Sequence, residues 1–296
     1  MLEYYWSVRY TQNTILVLIK NTIILKIFGN MKELINILDL QMETPGMYGW
    51  FHLMFFALSI IAGIILCVFF GKAEKKTVNT ILLSVSILVI LLEVYKQFNY
   101  SFSYEEDKLV FDYQWYAFPF QFCSTPMFVG LIAGILRKGR VHDALCAYLA
   151  TFAFFAGACV MFYPADVFIG TIGINIQTMI CHGSMISIAV YLLYTGYVKR
   201  EHKTILKAIP VFAVMVIMAV IMNEIAYQSG LLESETFNMF FISPYCEPSL
   251  PVYSQVQAVV PFPWCLFIYV AAFSLAAYII LLLSMLIEKI AARAVK

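Results

Sequence analysis

The chain has little charge. Asp, Glu, Lys and Arg make up 12% of its 296 residues, about half the share found in an average soluble domain. With 62% hydrophobic residues and a mean hydropathy of +0.83, it carries more apolar surface than one soluble core of this size can hide. A cytosolic enzyme and a disordered chain are therefore excluded. The formal net charge is +1, so there is no electrostatic footprint for a polyanion, and nucleic acid is not an expected partner. No CxxC pair occurs. The seven cysteines (Cys67, Cys123, Cys146, Cys159, Cys181, Cys246 and Cys265) lie mostly in apolar runs, which fits neither a disulfide framework nor a zinc site. GxSxG, HExxH and P-loop signatures are missing, and no metal or cofactor is expected. What remains is an all-α, polytopic membrane bundle.

Stretches free of charge set the layout. Residues 44–71, 77–92, 113–136, 144–165, 167–198, 208–223 and 248–287 contain no Asp, Glu, Lys or Arg. Each can hold, or nearly hold, a crossing of about 20 residues. Seven transmembrane helices are expected, near 49–71, 78–97, 116–136, 142–162, 178–198, 204–227 and 262–286. The cations give an orientation. Lys72, Lys75 and Lys76, then Arg137, Lys138 and Arg140, then Lys199, Arg200, Lys203 and Lys207, and finally Lys289, Arg293 and Lys296 fall on alternate connections and the C-terminal tail. Fewer lie on the other side: Arg9, Lys20, Lys26, Lys32, Lys96 and Lys108. The N-terminus is thus expected outside and the C-terminus in the cytoplasm.

Residues 1–47 read as a leader, either an interfacial helix or a poorly ordered segment, ahead of a seven-helix domain over 48–296. Within the leader, the apolar run 14–29 is interrupted by Lys20 and Lys26, a pattern suited to lying in the interface. In the fourth span, Ala147, Ala150, Ala153, Ala156 and Gly157 are small enough for close helix packing.

Polar side chains inside spans are costly and tend to be functional. Glu93, Lys96 and Gln97 end the second span, and Cys123 lies about two turns into the third. Gln177, Thr178 and His182 lie in the first turns of the fifth, and Asn223 and Glu224 end the sixth. With the alternating topology, these all fall in the outer half of the membrane, leaving an almost purely apolar inner half. A polar cavity open to the outer leaflet is expected. His52 is expected at the interface and His142 in solvent.

The sharpest local motif is YAFPFQFCSTP, residues 116–126. Pro119 suits the first turn of a helix, which would place Cys123 near a helix N-terminus that favours a thiolate. Gln121, Ser124 and Thr125 add hydrogen-bonding groups beside the sulfur. Pro126 removes a donor and leaves the Phe122 carbonyl short of its usual partner. The same letters also describe a kinked aromatic helix with an inert cysteine. His182 is expected at a similar depth to Cys123, and a thiol beside an imidazole is the arrangement of a base-activated nucleophile. A structural histidine bonded to a neighbouring helix is the other reading. Glu93 or Asn223 could orient the ring. Asn223 and Glu224 differ by about 100° around their helix, so only one can face the bundle.

The segments YGWFHL (48–53), EVYKQF (93–98), DYQWYAFPFQFCSTP (112–126), FYPADVFIGTIGINIQTMICHG (162–183) and FNMFFISPY (237–245) resemble the bacterial YwaF-like integral membrane proteins. Those look related to an animal transmembrane acyltransferase acting on phospholipids and, more distantly, to androgen-induced hydrolases of fatty-acid esters. The resemblance covers about residues 46–290. It implies a cysteine nucleophile, matching Cys123, and a histidine partner, matching His182. Some relatives carry a His-His pair where this chain has Cys181-His182. The implied activity is acyl transfer, or lipid ester hydrolysis, on phospholipid or lysophospholipid in a bacterial cytoplasmic membrane, with membrane lipids as partners. Glu93, Gln121, Ser124, Thr125, Gln177 and Asn223 are the expected supporting residues. A transporter, sensor or small-ligand-binding protein without chemistry is the alternative.

Overall fold

The computed structural model describes residues 31–294, apart from 107, 165–166, 231, 233–234, 248–249 and 251. The stretch 14–29, expected as an interfacial segment, lies outside the described residues.

The fold is all-α, with one small hairpin. Helix α1 (Met31–Leu38) precedes α2 (Trp50–Phe70), α3 (Lys75–Asn99) and the antiparallel strands β1 (Phe102–Glu105) and β2 (Lys108–Phe111). Helices α4 (Thr125–Leu136), α5 (Arg140–Phe162), α6 (Ile172–Tyr194) and α7 (His202–Ser229) follow. The short α8 (Tyr253–Val259) leads into α9 (Phe262–Ala294). Six of these helices, α2, α3, α5, α6, α7 and α9, are long and apolar enough to cross a membrane. The end of the bundle carrying Lys72, Arg137, Arg140 and Arg200 is called the basic end below, and the other the hairpin end.

The third expected crossing, 116–136, is not one helix. A single 3-10 turn at Trp115–Ala117 is followed by unwound chain, and α4 begins only at Thr125. Its 12 residues span about 18 Å, against about 30 Å for a hydrocarbon core. Pro126, not Pro119, occupies the first turn of the helix, where a missing N–H costs nothing. Residues 118–124 therefore enter from the hairpin end as a re-entrant segment, and α4 completes the path to the basic end. Unwound backbone at such depth is tolerated only when protein satisfies it, and a second irregular segment does so. The Gln121 side chain donates to the Asn238 carbonyl at 3.0 Å and accepts from the Phe240 N–H at 2.9 Å. Asn223 grips the same segment, donating to the Met239 carbonyl at 3.0 Å and accepting from its N–H at 2.7 Å. The left-handed backbone at Phe240 and Phe241 (φ 59° and 57°) is held by these bonds and by the Tyr269 hydroxyl, which donates to the Phe240 carbonyl at 3.1 Å.

Helix α6 is the central element and packs against α2, α3 and α5. Ala147, Ala150, Ala153 and Ala156 of α5 are all buried, and a π turn at Leu149–Ala153 sits among them. The two helices approach closely at Gly157, where an added Cβ would lie 2.7 Å from the His182 carbonyl oxygen and 2.9 Å from Met185 Cβ. Neither neighbour is a flexible side-chain end. Gly157→Ala is expected to destabilise the fold by about 1–3 kcal/mol through overpacking, read as a lower unfolding temperature of the purified protein.

Part of the expected leader is docked. Ile35 of α1 is buried, and the Tyr95 hydroxyl donates to the Leu38 carbonyl at 2.6 Å. The chain then crosses the start of α6, with the Ile172 N–H bonded to Leu40 O at 3.0 Å and the Met42 N–H to Gly170 O at 2.6 Å.

Two expectations about polarity change. The half of the bundle at the basic end is not purely apolar. His142 is buried there, its Nε2 3.0 Å from Asn79 Oδ1 and 3.2 Å from the Tyr197 hydroxyl. Asn79 in turn donates to the Arg137 carbonyl at 3.0 Å, filling the need left by the helix end at Arg137. His52 is also buried, accepting from the Tyr48 N–H at 3.0 Å and donating to the Met161 carbonyl at 2.9 Å. Open carbonyls and N–H groups at helix ends drew both rings inward.

Candidate functional site

Cys123 lies on the re-entrant segment, one residue before the N-cap Ser124 of α4. Because α4 covers only about 18 Å, its first residue sits well below the membrane edge. Helix α6 starts at Ile172, six residues before the expected start, so His182 lies about 15 Å along it, near mid-depth. The two elements meet there: the Cys181 thiol points at the Cys123 carbonyl oxygen, 3.8 Å away. The matching depth of Cys123 and the His182 region arises because one chain dips in unwound while the other descends as helix.

His182 is buried and its ring is half-used. Nδ1 lies 2.7 Å from the Thr178 carbonyl. A carbonyl only accepts, so Nδ1 carries the proton and the Nε2 lone pair is free. Nε2 is buried without a hydrogen-bond partner. Among the described residues no hydrogen bond joins this ring to the Cys123 thiol. Sequence reasoning gave the orienting role to Glu93 or Asn223; Thr178, four residues before His182 on the same helix, holds the ring instead. That i, i−4 spacing was available in the sequence.

Glu93 is buried and organises a polar network beside the cysteine. Its carboxylate accepts from Lys96 at 2.7 Å, Gln97 at 2.8 Å and Gln177 at 3.1 Å. Gln97 also donates to the Ala117 carbonyl at 2.8 Å and accepts from the Tyr113 hydroxyl at 2.6 Å, which ties the network to the start of the re-entrant segment. Lys96 does not snorkel to water: its side chain is only 16% exposed, and its ammonium lies within electrostatic reach of both Cys123 and His182.

The remaining expected residues divide between the thiol and the scaffold. Ser124, next to Cys123 in sequence, is the buried N-cap residue of α4. Thr125 donates to the Phe122 carbonyl at 3.1 Å, supplying the partner that Pro126 denies it, and lies 3.0 Å from the Tyr148 hydroxyl. Gln177 belongs to the Glu93 network. Gln121 and Asn223 each commit the amide oxygen and one N–H to the 238–240 segment, which fixes both side chains against that backbone. Asn223 faces the bundle, as only one of the adjacent pair can; Glu224 faces outward and binds Tyr245 at 2.6 Å and Gln228 at 2.9 Å.

Six helices long and apolar enough to cross a membrane, packed around a buried polar network, define a multi-pass helical membrane protein. The model of the TMEM164 family matches residues 47–283, and the chain belongs to that family. No match is found among curated proteins or among solved structures.

Proposed function

We propose that this protein is a membrane acyltransferase, exchanging phospholipid or lysophospholipid acyl chains through a thioester on Cys123 with His182 as the base. The observation that carries this reading is the buried Nε2 of His182, a base without a partner, on the turn of α6 whose Cys181 thiol lies 3.8 Å from the Cys123 carbonyl oxygen. Nε2 takes the thiol proton, and the sulfur attacks the ester carbonyl of a phospholipid. The tetrahedral intermediate collapses, the C–O bond breaks, and the leaving lysophospholipid oxygen receives the proton from the His182 imidazolium. An acceptor hydroxyl then gives its proton to His182 and attacks the thioester; the C–S bond breaks and the thiolate is reprotonated. Lys96 stabilises the thiolate and the oxyanion. Among the described residues no hydrogen bond joins thiol and ring, so on this reading the pair closes only when substrate binds. The apolar surroundings limit water and favour transfer over hydrolysis. The resemblance of the 112–126 and 162–183 segments to YwaF-type proteins agrees with this reading, which places the protein in a bacterial cytoplasmic membrane.

A thiol-reactive acyl probe of lipid shape tests it. Labelling is expected at Cys123 and is expected to vanish in His182→Ala. Equal labelling of the exposed Cys159, or labelling of Cys123 that ignores the His182 substitution, rejects the pair. A ligand-binding protein without chemistry would retain its ligand yet form no adduct.

A further inference from the structure

The basic end carries a feature far from Cys123 that acyl transfer does not use. Two apolar furrows run side by side along α6. One, about 370 Å³, lies between α2 and α6 and is lined by Ile60, Gly63, Ile64, Cys67 and Ile186. The other, about 310 Å³, lies between α6, α5 and α9 and is lined by Phe154, Leu193, Ile280, Leu283 and Ile287. Val190 and Tyr194 line both and form the ridge between them. Each volume falls within the range of ligand-binding clefts. The lining is lipid-facing: Val190, Tyr194, Ile64, Leu283 and Ile287 are all exposed.

Both furrows end at the same level. Tyr194 packs against Gly71 at the end of α2, and the Tyr191 hydroxyl donates to the Phe70 carbonyl at 3.1 Å, so α2 and α6 finish together. At that level Arg200 lines the second furrow and pairs with Glu288 of α9 at 2.9 Å. Arg200 is 21% exposed and Glu288 50%. A carboxylate on a guanidinium marks where an anion fits. A phosphate offers the same bidentate geometry with more oxygens and can displace a half-exposed carboxylate.

We infer that this face binds one anionic diacyl phospholipid, its two chains in the twin furrows astride Val190 and Tyr194 and its phosphate on Arg200. Two apolar channels that share the Val190–Tyr194 ridge, one of them lined by a guanidinium, match the shape of a two-chain lipid with a charged head. Single-chain lipids and free phosphate each satisfy only part of that arrangement. Lys199 and Lys203 flank Arg200 in sequence and add attraction for an anionic surface.

The full-length protein in nanodiscs of phosphatidylcholine with a minority of phosphatidylglycerol tests this by native mass spectrometry of retained lipid. Selective retention of one phosphatidylglycerol is expected. Arg200→Gln should weaken it on the order of tenfold, the loss expected for one charged hydrogen bond. Glu288→Gln should strengthen it by freeing Arg200, and Leu283→Trp should weaken it by filling one furrow while leaving the guanidinium intact. The opposite responses of Arg200→Gln and Glu288→Gln separate binding from general damage to the fold. Equal retention of phosphatidylcholine, or retention indifferent to Arg200→Gln, overturns the assignment and leaves the furrows to bulk lipid. Lysophosphatidylglycerol bound as well as the diacyl form overturns the two-chain fit.

Discussion

Cys123→Ala is expected to abolish acyl transfer between a labelled phospholipid and a lysophospholipid in reconstituted vesicles, and His182→Gln to lower turnover by about 10²–10⁴-fold, the usual contribution of a general base. The two losses differ in kind. Without the sulfur no thioester can form, so the covalent route closes. Without the imidazole the thiol remains, and a small thiolate fraction can still react. Raising the pH should therefore restore part of the His182→Gln activity and none of the Cys123→Ala activity. The fold should survive both changes. Cys123 is half-buried on a segment whose backbone is held through Gln121 and Asn238, and a glutamine amide can still donate to the Thr178 carbonyl that His182 now occupies. Cys159→Ala, an exposed thiol on α5, controls for loss of a cysteine as such. Undiminished transfer by purified Cys123→Ala rejects the nucleophile; a pH profile unchanged in His182→Gln rejects the base.

Much of the bundle was legible because its information is one-dimensional. Charge-free runs mark crossings, and the small-residue face of Ala147, Ala150, Ala153 and Ala156 marks close packing without knowledge of the partner. The third crossing misled because its signal was also one-dimensional: 113–136 is long and apolar, yet composition does not say whether apolar chain is wound. The deciding facts are two prolines and the existence of residues 238–241, more than a hundred positions away, whose backbone pairs with Gln121. Gln121 and Asn223 looked like site residues because polar groups in a membrane are costly. In the structure both bond the backbone of the irregular 238–240 segment. Position near span ends predicts His52 at the interface and His142 in solvent, but both rings are buried, bonded to open backbone groups at helix termini directly or through Asn79. The depth of His182 came out about two turns too shallow because Thr171 begins α6 earlier than hydropathy suggests. The pairing of that depth with Cys123 needed the unwound segment, which no periodicity could reveal.

Glu93→Gln is expected to produce the largest loss of stability among single changes near the site, about 3 kcal/mol. Glu93 is 4% exposed and accepts from three side chains. Glutamine keeps the shape but leaves Lys96 as a poorly solvated cation, and breaking a buried pair from one side costs about 3–5 kcal/mol; the 16% exposure of Lys96 puts the cost at the low end. The double variant Glu93→Gln/Lys96→Met removes both charges and should recover most of that loss, since a buried pair replaced by uncharged groups of similar size is often neutral. A thermodynamic cycle of the wild type, Lys96→Met, Glu93→Gln and the double variant isolates the coupling. Stability and chemistry should then part company. If Lys96 faces the thiolate, the double variant folds but transfers acyl groups poorly, because the ammonium opposite Cys123 is gone. A double variant that is both stable and fully active would assign the whole Glu93 network to the scaffold, leaving the thiol and the imidazole to act without a cation.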